Sequence, residues 1–233
     1  MSTLLCIETA TVVCSVALVR DGSVIGLRET QITNSHAAMV AVFIDELIRE
    51  HLSGPSGING VVVSSGPGSY TGLRIGVSTA KGLCYALDVP LLSIQTTLGM
   101  AWGMKSAFTE ASELPLIFAP MIDARRMEVY TAMYNNELEA IAPVSAQIIQ
   151  PNMFEDLLEK HQIILAGDGA EKCKAVLQHP NLRYIDGFTN SAAHLAELAA
   201  AKFEQQHFED TAYFEPFYLK DFIAGKPRVK GLD

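Results

Sequence analysis

Ser64-Ser65-Gly66-Pro67-Gly68-Ser69-Tyr70-Thr71-Gly72-Leu73-Arg74-Ile75-Gly76-Val77-Ser78-Thr79-Ala80-Lys81-Gly82-Leu83 is the stretch whose reading decides the fold of this chain. The apolar run Val61-Val62-Val63 leads into a loop with glycines at 66, 68 and 72, and helical spacing follows, which predicts a strand, a tight turn and a helix start. A helix start carries unpaired N–H groups, and glycines let the backbone come close to an anion that those groups face. Gly66-Pro67-Gly68-Ser69-Tyr70-Thr71 fits neither standard phosphate motif, because the third glycine of GxGxxG is missing and no Gly-Lys-Ser/Thr closes a P-loop. Two readings stay open: a phosphate loop, or a glycine-rich turn that needs only positive φ and close packing.

Within the helix, Gly72, Gly76 and Ala80 recur every four residues, so one face is nearly flat and a tight helix contact is expected there. Arg74, Ser78, Lys81 and Tyr85 form a separate polar stripe, read as a solvated edge. At 233 residues the chain suits one large domain or two smaller ones, and folding would bury roughly 70% of its unfolded surface. Hydrophobic residues make up 49% and mean hydropathy is +0.21, high enough that some apolar surface is expected to serve an interface. Apolar runs stop well short of the ~18 residues of a membrane span, and Met1-Ser2-Thr3 lacks a basic leader, so no signal peptide is expected. Cys6, Cys14, Cys84 and Cys173 have no CxxC spacing and read as reduced core residues of a cytoplasmic protein, not metal ligands. A net charge of −9 and a pI near 5.1 oppose broad nucleic-acid contact. The clustered Lys220, Lys226, Arg228 and Lys230 form a basic tail, read as a solvated end.

Residues 4–8, 12–20 and 23–30 read as three strands, with Asp21-Gly22 as a hairpin turn. Asn34 or Ser35 caps a helix to about His51 whose first part, Ala37 to Ile44, is apolar on every face and needs cover on both sides. One side suits the sheet; the other suits a partner or the C-terminal segment. Pro90 to Ile94 reads as a strand, Thr96 or Thr97 caps a helix to about Lys105, and the polar residues 105–113 mark a boundary. Leu116 to Asp123 and Glu128 to Tyr134 follow as strands around Asp123-Ala124-Arg125-Arg126, which reads as an anion grip or a salt-bridged turn. Ile148 to Gln150 reads as a short strand, and Asn152 to His161 as a helix. Ile163 to Ala170 repeats the strand, glycine turn, helix pattern at Gly167 and Gly169. Ser191 caps a helix from His194 to about Gln205, and the aromatic Phe214 to Lys220 is expected to dock back on the body.

Gly66 to Gly76, with Ala80-Lys81-Gly82-Leu83, is similar to the signature of the bacterial TsaB family, also called YeaZ. Leu4 to Ala10 through Cys14 to Leu18 resembles that family's first hairpin, Asn34-Ser35-His36 the start of its first helix, and Phe217-Tyr218-Leu219-Lys220 its C-terminal motif. The resemblance covers most of the chain and is densest over residues 1–100. It implies an α/β chain of the actin/sugar kinase/Hsp70-like (ribonuclease H-like) fold, with two tandem α/β subdomains and mixed sheets. The subdomains would be residues 1–107 and 108–233, the tail from about 206 packing back.

In that fold group the turn after the first strand handles nucleotide phosphate and metal through an Asp, and the resemblance puts Glu8 there, followed by Thr9, Ala10 and Thr11. Glu8 and Thr9, with Gly66, Gly68, Ser69, Thr71, Gly167 and Gly169, would then be a vestigial nucleotide or phosphate site. The alternative is that Glu8 is a half-buried acid with structural hydrogen bonds. The related transferase, TsaD, carries two metal-binding histidines four apart on the first helix, whereas His36 here is followed by Val40, which leaves His36 a polar surface residue and this chain without that metal. The resemblance implies a non-catalytic subunit in synthesis of threonylcarbamoyladenosine beside the tRNA anticodon. Its partners would be TsaD and the ATPase TsaE, with ATP and metal on those subunits, tRNA reached through the complex, and a homodimer in isolation. The partner surface would use Ala37, Ala38, Val40, Ala41, Phe43, Ile44 and Leu47 of the first helix, and Gly72, Gly76, Val77, Ala80 and Leu83 of the second. Against it stand an ATP-dependent transferase or kinase of the same fold and a nucleotide-binding module of unrelated role. A protease would need HExxH or GxSxG, and neither occurs.

Overall fold

Asp21 and Gly22 hold φ of 48° and 80°, the pair of left-handed conformations that a two-residue hairpin turn requires. They join β2 (Cys14–Arg20) to β3 (Ser23–Thr30), and β1 (Thr3–Glu8) pairs antiparallel with β2, as the meander reading expects. The computed structural model describes residues 2–33 and 35–220. β4 (Gly60–Ser64) and β5 (Leu91–Ile94) add in parallel beyond β1, giving the order β3-β2-β1-β4-β5. A second sheet is built from β6 (Leu116–Asp123), β7 (Glu128–Tyr134), β8 (Ala140–Ile148), β9 (Gln162–Ala166) and β10 (Leu182–Tyr184). Its order is β10-β9-β6-β7-β8. Counted from β6, both sheets read third, second, first, fourth, fifth, with the same parallel and antiparallel pairs. The chain therefore uses one α/β plan twice, the duplicated architecture of the actin/sugar kinase/Hsp70-like fold.

β1 alternates its side chains between two apolar layers. Leu5 and Ile7 join Val16, Leu18, Val61 and Val63 under α1 (His36–His51) and α2 (Tyr70–Leu87). Leu4 and Cys6 face Val62, Leu92 and Ile94 on the other side, where Leu195, Ala196 and Ala199 cover them. Those last residues belong to a 3-10 turn (Ala192–Leu195) and α5 (Ala196–Glu204), which lie far along the sequence. Conversely, α3 (Thr96–Ala107) packs Ala101 and Met104 on Phe118, Ala132 and Ile164 of the second sheet. The two halves thus exchange covering helices, and the division at residue 107 falls behind a helix that serves the far sheet.

Several local expectations are corrected. Ser35 precedes α1, but its hydroxyl makes no capping bond; Asn34 lies outside the described residues. The helix expected over 152–161 is only α4 (Glu155–Leu158), and the Gly167 turn leads into a single 3-10 turn, Glu171–Cys173. The strand expected at 148–150 is the end of the nine-residue β8, an edge strand that accommodates Pro143. Ser191 does cap its turn, accepting from Ala193 N–H at 3.1 Å. All four cysteines are free and buried. Among the described residues, no helix is long and apolar enough to cross a membrane.

Candidate functional site

A cleft of about 660 Å³ opens between the sheets. Its walls are the β1–β2 turn (Ala10 to Val12), the loop and first turn of α2 (Pro67 to Gly72), the β6–β7 turn (Asp123 to Arg125), Asp168, and the C-terminal Phe217 to Lys220. The structure thus gathers the two glycine turns and both hairpin turns around one space, as the duplicated fold requires. What the glycines face is this chain's own backbone. Cβ atoms on Gly68 and Gly72 would run into the carbonyls of Ala10 and Thr9, and one on Gly76 into Thr9 Oγ1. Ser69 N–H donates to Ala10 O at 2.6 Å and Thr9 Oγ1 donates to Gly72 O at 2.8 Å, which locks α2 onto the β1–β2 turn. Ser69 Oγ in turn caps α2 by accepting from Gly72 N–H at 3.2 Å. Thr71 is exposed at the cleft. The second half repeats the device, with Gly167 and Gly169 closing on the Met121 to Asp123 backbone. At Gly66, with φ of 114°, a Cβ would lie 2.5 Å from Phe217 O.

Glu8 is completely buried, not half-buried as expected. Its Oε1 accepts from Ala10 N–H at 2.6 Å. Ser64 and Asn190 stand beside the carboxyl and favour its charged form, yet Oε2, Ser64 Oγ and both amide atoms of Asn190 reach no hydrogen-bond partner. Burial dominates, pushing the Glu8 pKa up from 4.5 to about 7. His36 is also buried, correcting its reading as a surface residue: Nε2–H donates to Thr11 O at 3.0 Å and Val13 O at 3.2 Å, so the ring ties α1 to the β1–β2 turn. Across the cleft, Asp168 accepts from Asp123 N–H at 2.9 Å, and burial raises its pKa. Asp123 pairs with Lys172, the salt-bridged version of that turn, while Arg125 and Arg126 are exposed at φ of 68° and 53°. Among the described residues, no cluster of three or more His, Cys, Asp or Glu side chains is arranged to hold a metal ion.

The residues read as a partner surface divide by burial. Val40, Phe43, Ile44 and Leu47 of α1, and Val77 and Ala80 of α2, lie in the core over the first sheet, and Leu83 packs half-buried against it. Gly72 and Gly76 are buried against Thr9, so the flat stripe serves an internal contact. Ala37, Ala38 and Ala41 are exposed, with Val42 beside them. The C-terminal segment lies along α2, held by Lys81 Nζ donating to the carbonyls of Ala212 and Phe214 at 3.0 and 3.1 Å. Sequence reasoning missed Asn190 and Tyr130 as neighbours of the site, and neither carries a local signal.

A family model described as TsaD, tRNA N6-adenosine threonylcarbamoyltransferase, matches residues 29–229. The tRNA threonylcarbamoyladenosine biosynthesis protein TsaB of Bacillus subtilis is 30% identical over 166 residues, covering 70% of this chain and 69% of that relative. This chain belongs to the TsaB family, within the TsaD-like group. The Haemophilus influenzae TsaB is 28% identical over 233 residues, with 96% of each chain covered. A solved Pseudomonas aeruginosa structure, described as similar to peptidase YeaZ, has a TM-score of 0.81 at 25% identity and covers 94% of this chain and 100% of that one. The TsaB family fold therefore extends over nearly all of the chain.

Proposed function

We propose that this chain is the non-catalytic subunit of the machinery that makes threonylcarbamoyladenosine in tRNA, working by binding a TsaD-type transferase. The observation that carries this reading is the outer face of α1. Ala37, Ala38 and Ala41 are exposed there, and Val42 is 44% exposed, a small apolar surface that lets another helix come close. The exposed side of α2, with Thr71, Arg74, Ser78 and Tyr85, adjoins the same region of the first half. In this reading the TsaE ATPase joins the assembly, ATP and metal reside on the partner subunits, and tRNA is reached through the complex in the cytoplasm. The glycine turns support a structural role for these loops, because Gly68, Gly72 and Gly76 each give up a Cβ to contacts with the Thr9 and Ala10 segment. Alone, the α1 face pairs with the same face of a second copy.

Light scattering on the chain, alone and mixed with its organism's TsaD, tests the proposal. Wild type should form a mixed complex and Ala41→Arg should not. A complex that survives Ala41→Arg, or no complex at all, sinks the reading. Arg at Gly76 is unsuited to this test, because that residue is buried against Thr9. One observation favours a second reading, a nucleotide-binding transferase or kinase: the cleft presents Arg125, Lys220, Asp123 and Asp168 together. That alternative requires ATP with Mg²⁺ to raise the melting temperature of the isolated chain.

A further inference from the structure

After α5 the chain runs outside the helices, along β5 and α2, and reaches the cleft at Phe217 to Lys220. Glu209 N–H donates to Leu91 O at 2.8 Å, and the Glu209 carboxylate accepts from Ser93 Oγ at 2.5 Å. Lys81 of α2 then holds the carbonyls of Ala212 and Phe214. Phe217 N–H donates to Ser65 O at 2.7 Å, directly over Gly66. The Tyr218 ring lies 4.9 Å from that of Tyr70, whose face Arg74 also covers. Lys220 finally pairs with Glu128 and lies 5.8 Å from the Tyr130 ring centre, on the second sheet.

The segment therefore begins on the first half and ends on the second. Its hold is thin. Phe214 packs against the main core, but Ala212, Tyr213, Glu215, Phe217 and Lys220 are exposed. Segments with few buried apolar contacts and solvent-accessible hydrogen bonds open at low free-energy cost. Between Glu209 and Lys220 the anchors are spaced along one run, with no helix or sheet of the segment's own to hold the intervening residues.

We propose that residues 209–220 form a strap that walls one side of the cleft by latching the Gly66 loop to β7, and that the strap opens as a unit. In the latched state Phe217 covers Gly66 and Tyr218 packs on Tyr70. Opening bares the backbone of the Gly66 loop and uncovers the Tyr70 and Tyr130 rings on the strap side, and frees Lys81 on α2. The strap thus connects the outer side of α2 to the width of the cleft.

Hydrogen exchange by mass spectrometry on the full chain tests this with variants that act from opposite ends. Lys220→Ala removes the anchor on the second sheet. Gly66→Ala places a methyl against Phe217 O on the first. Both should speed exchange across 212–218 by at least roughly twofold while β1 stays at the wild-type rate. If Lys220→Ala leaves the Phe214 and Phe217 amides at the wild-type rate, the contacts are independent and the strap proposal fails. Should Gly66→Ala loosen β1 as well, Glu128→Gln releases the far anchor without touching the loop, and the same two outcomes apply. None of these readouts depends on partner binding, so the strap and the proposed function stand or fall separately.

Discussion

Replacing Glu8 by Gln should stabilise the chain above neutral pH and lose most of that advantage in mild acid. The folded-state pKa of Glu8 is raised, because burial penalises the anion. The native state therefore holds its proton more tightly than the unfolded chain does, and stability falls as pH rises from the ordinary 4.5 toward about 7, then levels off. The full shift corresponds to about 3 kcal/mol of penalty on the charged side. Gln keeps an oxygen for Ala10 N–H, and its amide can donate to the unpartnered Asn190 Oδ1, so the replacement has partners waiting. Because solubility is lowest near the pI of about 5.1, the comparison belongs between pH 5.5 and pH 8, where the stability gap should change by about 2 kcal/mol. For a chain of this length that is roughly 4–8 °C in Tm difference. Urea or thermal unfolding of both proteins across this range measures it, and other titrating groups cancel in the comparison. Parallel curves, within about 0.5 kcal/mol of each other's slope, would refute the assignment of Glu8 as an acid destabilised by burial.

On α2, Gly76→Ala should cost about 1–3 kcal/mol by urea unfolding, because its methyl meets Thr9. Gly82→Ala, further along the same helix in open space, should instead gain up to about 1 kcal/mol. On α1, Phe43→Ala should cost about 3–5 kcal/mol, whereas Ala41→Arg should stay within about 0.5 kcal/mol of wild type and act only on partner binding, as light scattering can show. Burial lowers the His194 pKa, so its contribution is complete above the unfolded value of 6.5 and is lost as pH falls below it. The stability gap between wild type and His194→Gln should accordingly narrow from pH 7.5 to pH 5.5, and a gap that widens would overturn the assignment.

The parts of the fold that were legible in the sequence are those set by local chemistry. Asp21-Gly22 specifies its hairpin because few other pairs tolerate two left-handed conformations. Val61-Val62-Val63 followed by glycines and a small-residue helix specifies β4, its turn and α2 in the same way. The misread elements are those whose stability comes from elsewhere. β8, with Ala140, Ala142, Pro143 and Ala146, has little intrinsic strand preference and persists by pairing with β7. The exchange of α3 and α5 between sheets is set by which layer each helix covers, and helix periodicity carries no information about which sheet that is.

The candidate site divides along the same line. Glycines at 66, 68, 72 and 76 correctly signalled a close approach, but the approaching groups, Thr9, Ala10 and Phe217, come from segments far away in the chain. A missing Cβ makes room for a phosphate and for a carbonyl equally well, so spacing alone left both readings open. The same ambiguity governs α1. Val40, Phe43, Ile44 and Leu47 repeat at helical spacing and turn inward, so Ala38, Ala41 and Val42 are carried outward, while Ala37 is exposed at the helix start beside the cleft. In the sequence residues 37–44 form one apolar block; in the fold Val40, Phe43 and Ile44 meet the core's demand, and Ala38, Ala41 and Val42 exceed it. Apolar surface beyond what the core uses needs a reason outside the chain, which makes Ala41, and not the better-buried Phe43 or Gly76, the position at which partner binding and folding can be separated.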